Sequence, residues 1–167
     1  RTGGEVLMSN DSFTHLDEDG RAHMVNVDQK PITRRRARAQ AVVTMSPETA
    51  RAIREVTLDK GDALSVARIA GIMGAKRTAD LIPLCHSLPL DHVSVSMEVK
   101  DDHVLIETEA VCHGKTGIEM EALTAAMTAA LTLYDMAKAR DKGMVIEDVM
   151  LLEKSGGRSG HWLRDDV

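Results

Sequence analysis

Apolar residues recur along this chain with two different periods. From Arg36 to Ala41, within R-R-R-A-R-A-Q-A-V-V-T-M at 34–45, polar and apolar residues alternate. A period of two predicts a strand with Arg34, Arg36 and Arg38 on one face. Val93, Val95, Met97 and Val99 alternate with Ser94, Ser96, Glu98 and Lys100. After a turn at Asp101-Asp102, Val104, Ile106, Thr108, Ala110 and Cys112 alternate with more polar partners, which completes a hairpin. A fourth strand falls near 147–154.

Helical signals fill the gaps. Ser46-Pro47-Glu48 places a cap, a first-turn proline and an acid at the start of a short helix ending near Val56. Leu58 to Asp62 turns the chain, and Asp62 caps a helix over about 63–78. Ala67, Gly71 and Ala75, and also Ala70 and Gly74, recur there at four-residue steps. Each glycine costs about 1 kcal/mol of helix propensity, so close packing against a neighbouring backbone is expected in return. Gly114 to Arg140 reads as one long helix with Thr116 and Gly117 at its cap and Glu119 and Glu121 in its first turns. Met120, Leu123, Met127, Leu131 and Tyr134 form its apolar stripe, with alanines between. Asp80 to Leu90, D-L-I-P-L-C-H-S-L-P-L, is apolar but broken by Pro83 and Pro89. It reads as a loop, and Cys85 and His86 within it suit a semi-buried pocket wall.

With one helix set aside, the order is β-α-β-β-α-β, the split ferredoxin-like arrangement of the α+β class. The expectation is a four-stranded antiparallel sheet with helices mainly on one face. Residues 14–160 are read as one domain. Residues 1–13 are read as an N-terminal tail whose first seven residues are set apart, and 155–167 as a flexible, basic, glycine-rich tail.

Composition narrows the function. A length of 167 residues suits one domain with a sizeable core. A net charge of −5 and only three aromatics, Phe13, Tyr134 and Trp162, argue against nucleic-acid binding. No apolar run is long enough to span a membrane. Two cysteines, Cys85 and Cys112, make neither a disulfide framework nor a C-x-x-C pair, which points to a reducing cytoplasm.

Candidate chemistry collects on the long helix. Asp135 and Lys138 are three apart and share a side. Glu121 shares their face but lies nearly four turns away, roughly 21 Å. Either the helix serves two sites, or a second copy brings its ends together. Arg34, Arg36, Arg38, Lys76, Arg77 and Lys154 are candidates for holding phosphate charge, and Lys154 and Arg158 for closing over an anion. Gly114-Lys115-Thr116 follows a strand and opens a helix, as a P-loop does. That pattern needs a glycine where Glu109 stands, so a P-loop is rejected.

Four motifs resemble a known family: L-I-P-L-C-H-S-L-P-L at 81–90, G-K-T-G-I-E-M-E-A-L-T-A-A at 114–126, L-Y-D-M-A-K-A at 133–139 and E-K-S-G-G at 153–157. They are similar to the MoaC family of cyclic pyranopterin monophosphate synthases, lyases of molybdenum cofactor biosynthesis, over about Thr14 to Gly160. The resemblance implies a ferredoxin-like subunit in a hexamer of three dimers, with active sites at dimer interfaces. It implies conversion of 3′,8-cyclo-7,8-dihydroguanosine 5′-triphosphate to cyclic pyranopterin monophosphate and diphosphate, the substrate being handed over by an upstream radical enzyme. By matching motif, it puts a catalytic pair on Asp135 and Lys138 and a further functional lysine on Lys60. It puts substrate contacts on Leu84, Cys85 and His86, and on Glu119, Met120 and Glu121. Arg158 stands where lysine is frequent. Magnesium would accompany a triphosphate, although no residue pattern specifies a metal site. The rival reading is a non-catalytic nucleotide- or pterin-sensing oligomer, which would need no lysine base.

Overall fold

The computed structural model describes residues 19–165. Residues 1–18, which hold the whole of the expected N-terminal tail with Phe13, and also His15, lie outside it, as do 166 and 167. The expected α+β architecture is present. Strand β1 (Thr33–Thr44) leads through helices α1 (Pro47–Arg54), α2 (Ala63–Lys76) and the single turn α3 (Thr78–Leu81) to β2 (Leu90–Val99). Strand β3 (His103–Gly114) closes the hairpin, α4 (Glu119–Ala137) follows, and β4 (Val145–Ser155) and β5 (Trp162–Leu163) end the chain. The antiparallel sheet has five strands, in the order β2-β3-β1-β4-β5, rather than the four expected. The additional strand comes from the tail read as flexible: Trp162 and Leu163 pair with Lys154 and Glu153. Arg164 reinforces this, its backbone N–H donating to the Leu152 carbonyl and its guanidinium to that of Leu151.

The helices cover one face of the sheet. Ala37, Ala39, Ala41 and Val43 of β1 point into that layer, and so do Val104, Ile106 and Cys112 of β3. The expected caps are in place, with the Ser46 hydroxyl on Thr49 N–H and the Asp62 carboxylate on Ser65 N–H. The glycines of α2 also do what was expected of them. A Cβ on Gly71 would stand 3.0 Å from the Ala125 carbonyl oxygen, and one on Gly74 only 2.5 Å from the Thr128 hydroxyl, so α2 rests directly on α4.

Helix α4 corrects the sequence reading twice. It starts at Glu119, with Ile118 in the capping position and no side-chain cap bond, so neither Thr116 nor Gly117 caps it. Its buried side is the alanine side, Ala122, Ala125, Ala126, Ala129, Ala130 and Ala137 with Leu133, because α2 and the alanines of β1 approach too closely for larger residues. The predicted stripe splits: Leu123 and Tyr134 pack against the core, whereas Met127 is 55% exposed and Leu131 64%. Among the described residues no helix is long and apolar enough to cross a membrane.

Candidate active site

Two clusters of functional side chains form, one at each end of α4. At its N-terminal end lies a cavity of about 340 Å³. The α3–β2 loop contributes Leu84, Cys85 and His86 to its wall. The two prolines keep that loop out of helix and sheet, which leaves its side chains free to face inward. The first turn of α4 contributes Glu119, Met120 and Glu121, and Val25, Val27 and Lys30 of the incoming chain lie across it. The sequence thus brought all six predicted contact residues to one cavity. Glu119 folds back over Gly117, where a Cβ would stand 1.9 Å from its Oε2, so a side chain there would displace the Glu119 carboxylate. Its other oxygen, Oε1, accepts from Lys154 Nζ of β4 at 2.8 Å.

Glu121 is unusual. It is 4% exposed, and among the described residues no cation pairs with it. Burial pushes its carboxyl up to about 7, its own backbone N–H opposing this and neighbouring Glu119 adding to it. Burial and the Glu121 charge also raise the Cys85 thiol. Cys112, behind the cavity, is pushed up to about 11, chiefly by burial. Both thiols are therefore neutral near pH 7, as packing residues or weak donors rather than nucleophiles.

The buried carboxyl makes a prediction about stability. Between the unfolded value near 4.5 and the folded value near 7, the unfolded chain loses the Glu121 proton and the folded chain keeps it. Stability from this group is therefore full below about pH 4.5 and declines as pH rises toward 7. Glu121→Gln does not titrate and escapes the decline. Relative to wild type it should gain roughly 2–3 kcal/mol between pH 5 and pH 8. Urea denaturation of both proteins at the two pH values measures this; a gap that stays constant would place the carboxyl in a wet environment.

A second cavity of about 420 Å³ adjoins the first and shares Lys30, Thr116 and Gly117 with it. Arg35, Lys115 and Arg158 add positive charge, and the Thr33 hydroxyl, whose buried oxygen has no hydrogen-bond partner among the described residues, also lines it. Arg35 donates to the carbonyls of Gly156 at 3.2 Å and Gly114 at 3.4 Å. Its guanidinium lies where a Cβ on Gly157 would be, and Gly157 has a φ of +74°, a left-handed conformation open to glycine.

The phosphate candidates named from the sequence divide differently. Arg36 and Arg38 occupy the sheet face away from the helices. Arg36 binds Glu109 at 2.6 Å and Glu153 at 2.8 Å, and Arg38 binds Glu107 at 3.0 Å and Glu153 at 3.5 Å. Arg34 shares that face by alternation. Lys76 and Arg77 end α2 on the surface, Arg77 beside Asp80 in a separate groove. Of the six, only Lys154 reaches the cavity wall, through Glu119. Arg35 went unnoticed, although the same period of two sets it with Ala37 and Ala39 on the inward face. An arginine among inward alanines was the available signal. Lys115 was passed over together with the rejected P-loop; its ammonium now holds the Asp28 carbonyl at 2.8 Å.

At the C-terminal end of α4 the predicted trio does assemble. Lys138 Nζ lies 2.7 Å from one carboxylate oxygen of Asp135 and Lys60 Nζ 2.8 Å from the other. Lys60 also donates to the Asp135 carbonyl at 2.9 Å, from a turn that Gly61 closes with a φ of +86°. Hydrogen bonds from Lys138 and then Lys60 hold the Asp135 carboxyl down at about 2. The Asp135 hydrogen bond in turn raises Lys138 above its ordinary range. In the single chain the trio is exposed.

The sequence profile of the MoaC family matches residues 24–157. The chain belongs to the MoaC family. It is 52% identical over 155 residues to the cyclic pyranopterin monophosphate synthase of Peptoclostridium acidaminophilum, which covers 93% of this chain and 99% of that one. It is 55% identical over 156 residues to the synthase of the same name from Thermomicrobium roseum, with 92% of this chain and 94% of that one covered. The Syntrophomonas wolfei synthase is 55% identical over 158 residues, covering 92% and 99%. The matched stretch includes both ends of α4, the α3–β2 loop and the two-lysine cluster.

Proposed function

We propose that this MoaC-family chain is a lyase that converts 3′,8-cyclo-7,8-dihydroguanosine 5′-triphosphate to cyclic pyranopterin monophosphate and diphosphate. One observation carries the reading: a single helix presents a buried, cation-free carboxyl in a ligand-sized cavity at one end and a carboxylate bracketed by two lysines at the other. The cavity takes the base. A guanine-type edge offers adjacent N–H donors, which the ionised Glu121 carboxylate can accept. The adjoining basic cavity takes the triphosphate, with Arg35, Lys30 and Arg158 around it. As the cyclic phosphate closes, charge grows on the departing diphosphate, and fixed cations stabilise it. Magnesium would arrive on the triphosphate as its counter-ion. Asp135 orients Lys60 and Lys138 for the proton transfers of ring rearrangement. Lys138 acts as a base only once its hold by Asp135 is offset, and exclusion of water and a second cation, Lys60, both work in that direction.

The reading includes a homo-oligomer. Base cavity and lysine cluster lie roughly 21 Å apart along α4, too far for one small ligand in one subunit. Met120, Met127 and Leu131 stand exposed along the helix between them, and Ile69 and Met73 are exposed on α2, Met73 lining a groove with Thr128 of α4. Large apolar side chains exposed on two packed helices are what an interface would cover. An antiparallel α4 from a second subunit would cover it and bring the lysine cluster of one chain to the base cavity of the other. A hexamer of three such dimers, a cytoplasmic location, and receipt of the substrate from an upstream radical enzyme complete the proposal. The β-α-β-β-α-β core, extended by β5 and two short helices, supports a ferredoxin-like classification.

Incubation with enzymatically made cyclic dihydroguanosine triphosphate tests the activity. The expected result is diphosphate and, after oxidation, a fluorescent pterin in equal amounts. A folded oligomer that yields neither would overturn it.

A further inference from the structure

We infer that Thr108 is a positioning residue for Glu121, setting the place of the α4 first turn through a hydrogen bond from the sheet. The inference rests on the proposed contact between Glu121 and the substrate. Thr108 lies on β3 among inward-facing Val104, Ile106, Ala110 and Cys112, and is 2% exposed. A hydroxyl there is out of place unless it is bonded, since burying it unbonded is unfavourable and valine has the same shape. Its Oγ1 stands 2.8 Å from the Ala122 carbonyl oxygen on α4 and 3.3 Å from that of Ala39 on β1. A hydroxyl has one hydrogen, and the shorter contact takes it. Ala122 follows Glu121 directly, so the bond fixes the backbone that carries the buried carboxyl.

That turn has little else to fix it. Ile118 supplies no side-chain cap, and the first intrahelical bond, Ala122 N–H to the Ile118 carbonyl, is long at 3.4 Å. Burial of Ile118 and the Lys154–Glu119 bond hold the turn on the side of Glu119. Met120 borders the cavity, 36% exposed. Thr108 is the tie on the side of Glu121. Ala122 is within α4, and its carbonyl has a second lone pair for the helix ladder, so removing the hydroxyl leaves no acceptor stranded. The loss then falls on placement more than on folding.

Thr108→Val and Thr108→Ser separate these effects. Valine keeps the volume and loses the donor; serine keeps the donor and loses a buried methyl. Guanosine 5′-triphosphate is the probe, with affinity measured by calorimetry at pH 8, and turnover is measured on the true substrate. Thr108→Val is expected to weaken the nucleotide Kd and raise KM about five- to tenfold, with kcat within about twofold of wild type. Thr108→Ser is expected to stay within twofold of wild type in all three, although its melting temperature is no higher than that of the valine variant. In a Glu121→Gln background, Thr108→Val should add less than a twofold loss, because the group it positions is already altered. Function that follows melting temperature across the two variants would reduce Thr108 to a packing residue and overturn the inference. So would wild-type affinity in Thr108→Val. If Glu121→Gln itself leaves affinity unchanged, the reading of the base cavity fails instead, and the two failures are distinguished.

Discussion

Lys60→Ala and Lys138→Ala each lower turnover by at least ~100-fold, the scale of a lost acid–base group, with the oligomer intact. The two ammonium groups stand 2.8 Å and 2.7 Å from opposite oxygens of one carboxylate, Asp135. Neither is redundant. Lys60 approaches from the α1–α2 turn and also holds the Asp135 carbonyl, so it ties that turn to the end of α4. Lys138 comes from α4 itself, one helical turn from Asp135. Removing either takes away one of the two hydrogen bonds that hold the Asp135 carboxyl down, so it rises toward its ordinary carboxylate range, still ionised near pH 7 but with one lysine partner instead of two. All three side chains are about half exposed, so their ion pairs contribute little to folding. Loss of activity without loss of stability is therefore the expected signature. Steady-state rates measure the first, and thermal melts with sedimentation the second. Near-normal turnover in both variants would remove the trio from the chemistry.

Much of this arrangement could be read from residue order because local patterns determine it. Alternation located the first three long strands to within a few residues, the fourth was placed near 147–154 without it, and Ser46 and Asp62 announced their helices. Gly71 and Gly74 announced a close helix–helix contact that is present. Local patterns fail where the outcome depends on what lies opposite. The stripe of Met120, Leu123, Met127, Leu131 and Tyr134 was evident, but periodicity does not say that only Leu123 and Tyr134 of it meet the core. The sheet beneath α4 is lined with alanines, so the small side of the helix faces inward and the large side outward. Strand β5 was invisible because two residues of a glycine-rich tail pair only when a free β4 edge is beside them. The cavities were half visible. The loop carrying Cys85 and His86 was suspected from its prolines, whereas the anion end depends on Arg35, Lys115 and Arg158 meeting across distant segments.

The outward stripe leads to the most decisive test of the proposed assembly. A site made within one chain would have to join groups at opposite ends of α4. A site made across a two-fold axis joins them at no cost in distance, and symmetry then creates two equal sites per dimer. Each site would draw the Lys60–Asp135–Lys138 cluster from one subunit and the Glu121 cavity from the other. Lys138→Ala and Glu121→Ala should each be inactive when pure. Unfolded together in equal amounts and refolded, about half of the dimers are mixed. In every mixed dimer one site carries both lesions and the other carries neither. Activity should therefore return to about one quarter of wild type, provided that subunit exchange is verified by native mass spectrometry. A mixture as inactive as its parents, with mixed dimers demonstrably present, would show that each site is completed within a single chain. The exposed Met127 and Leu131 would then need a different partner. A return to one quarter assigns the stripe its role: α4 is the ruler that sets the distance between the two halves of a shared site.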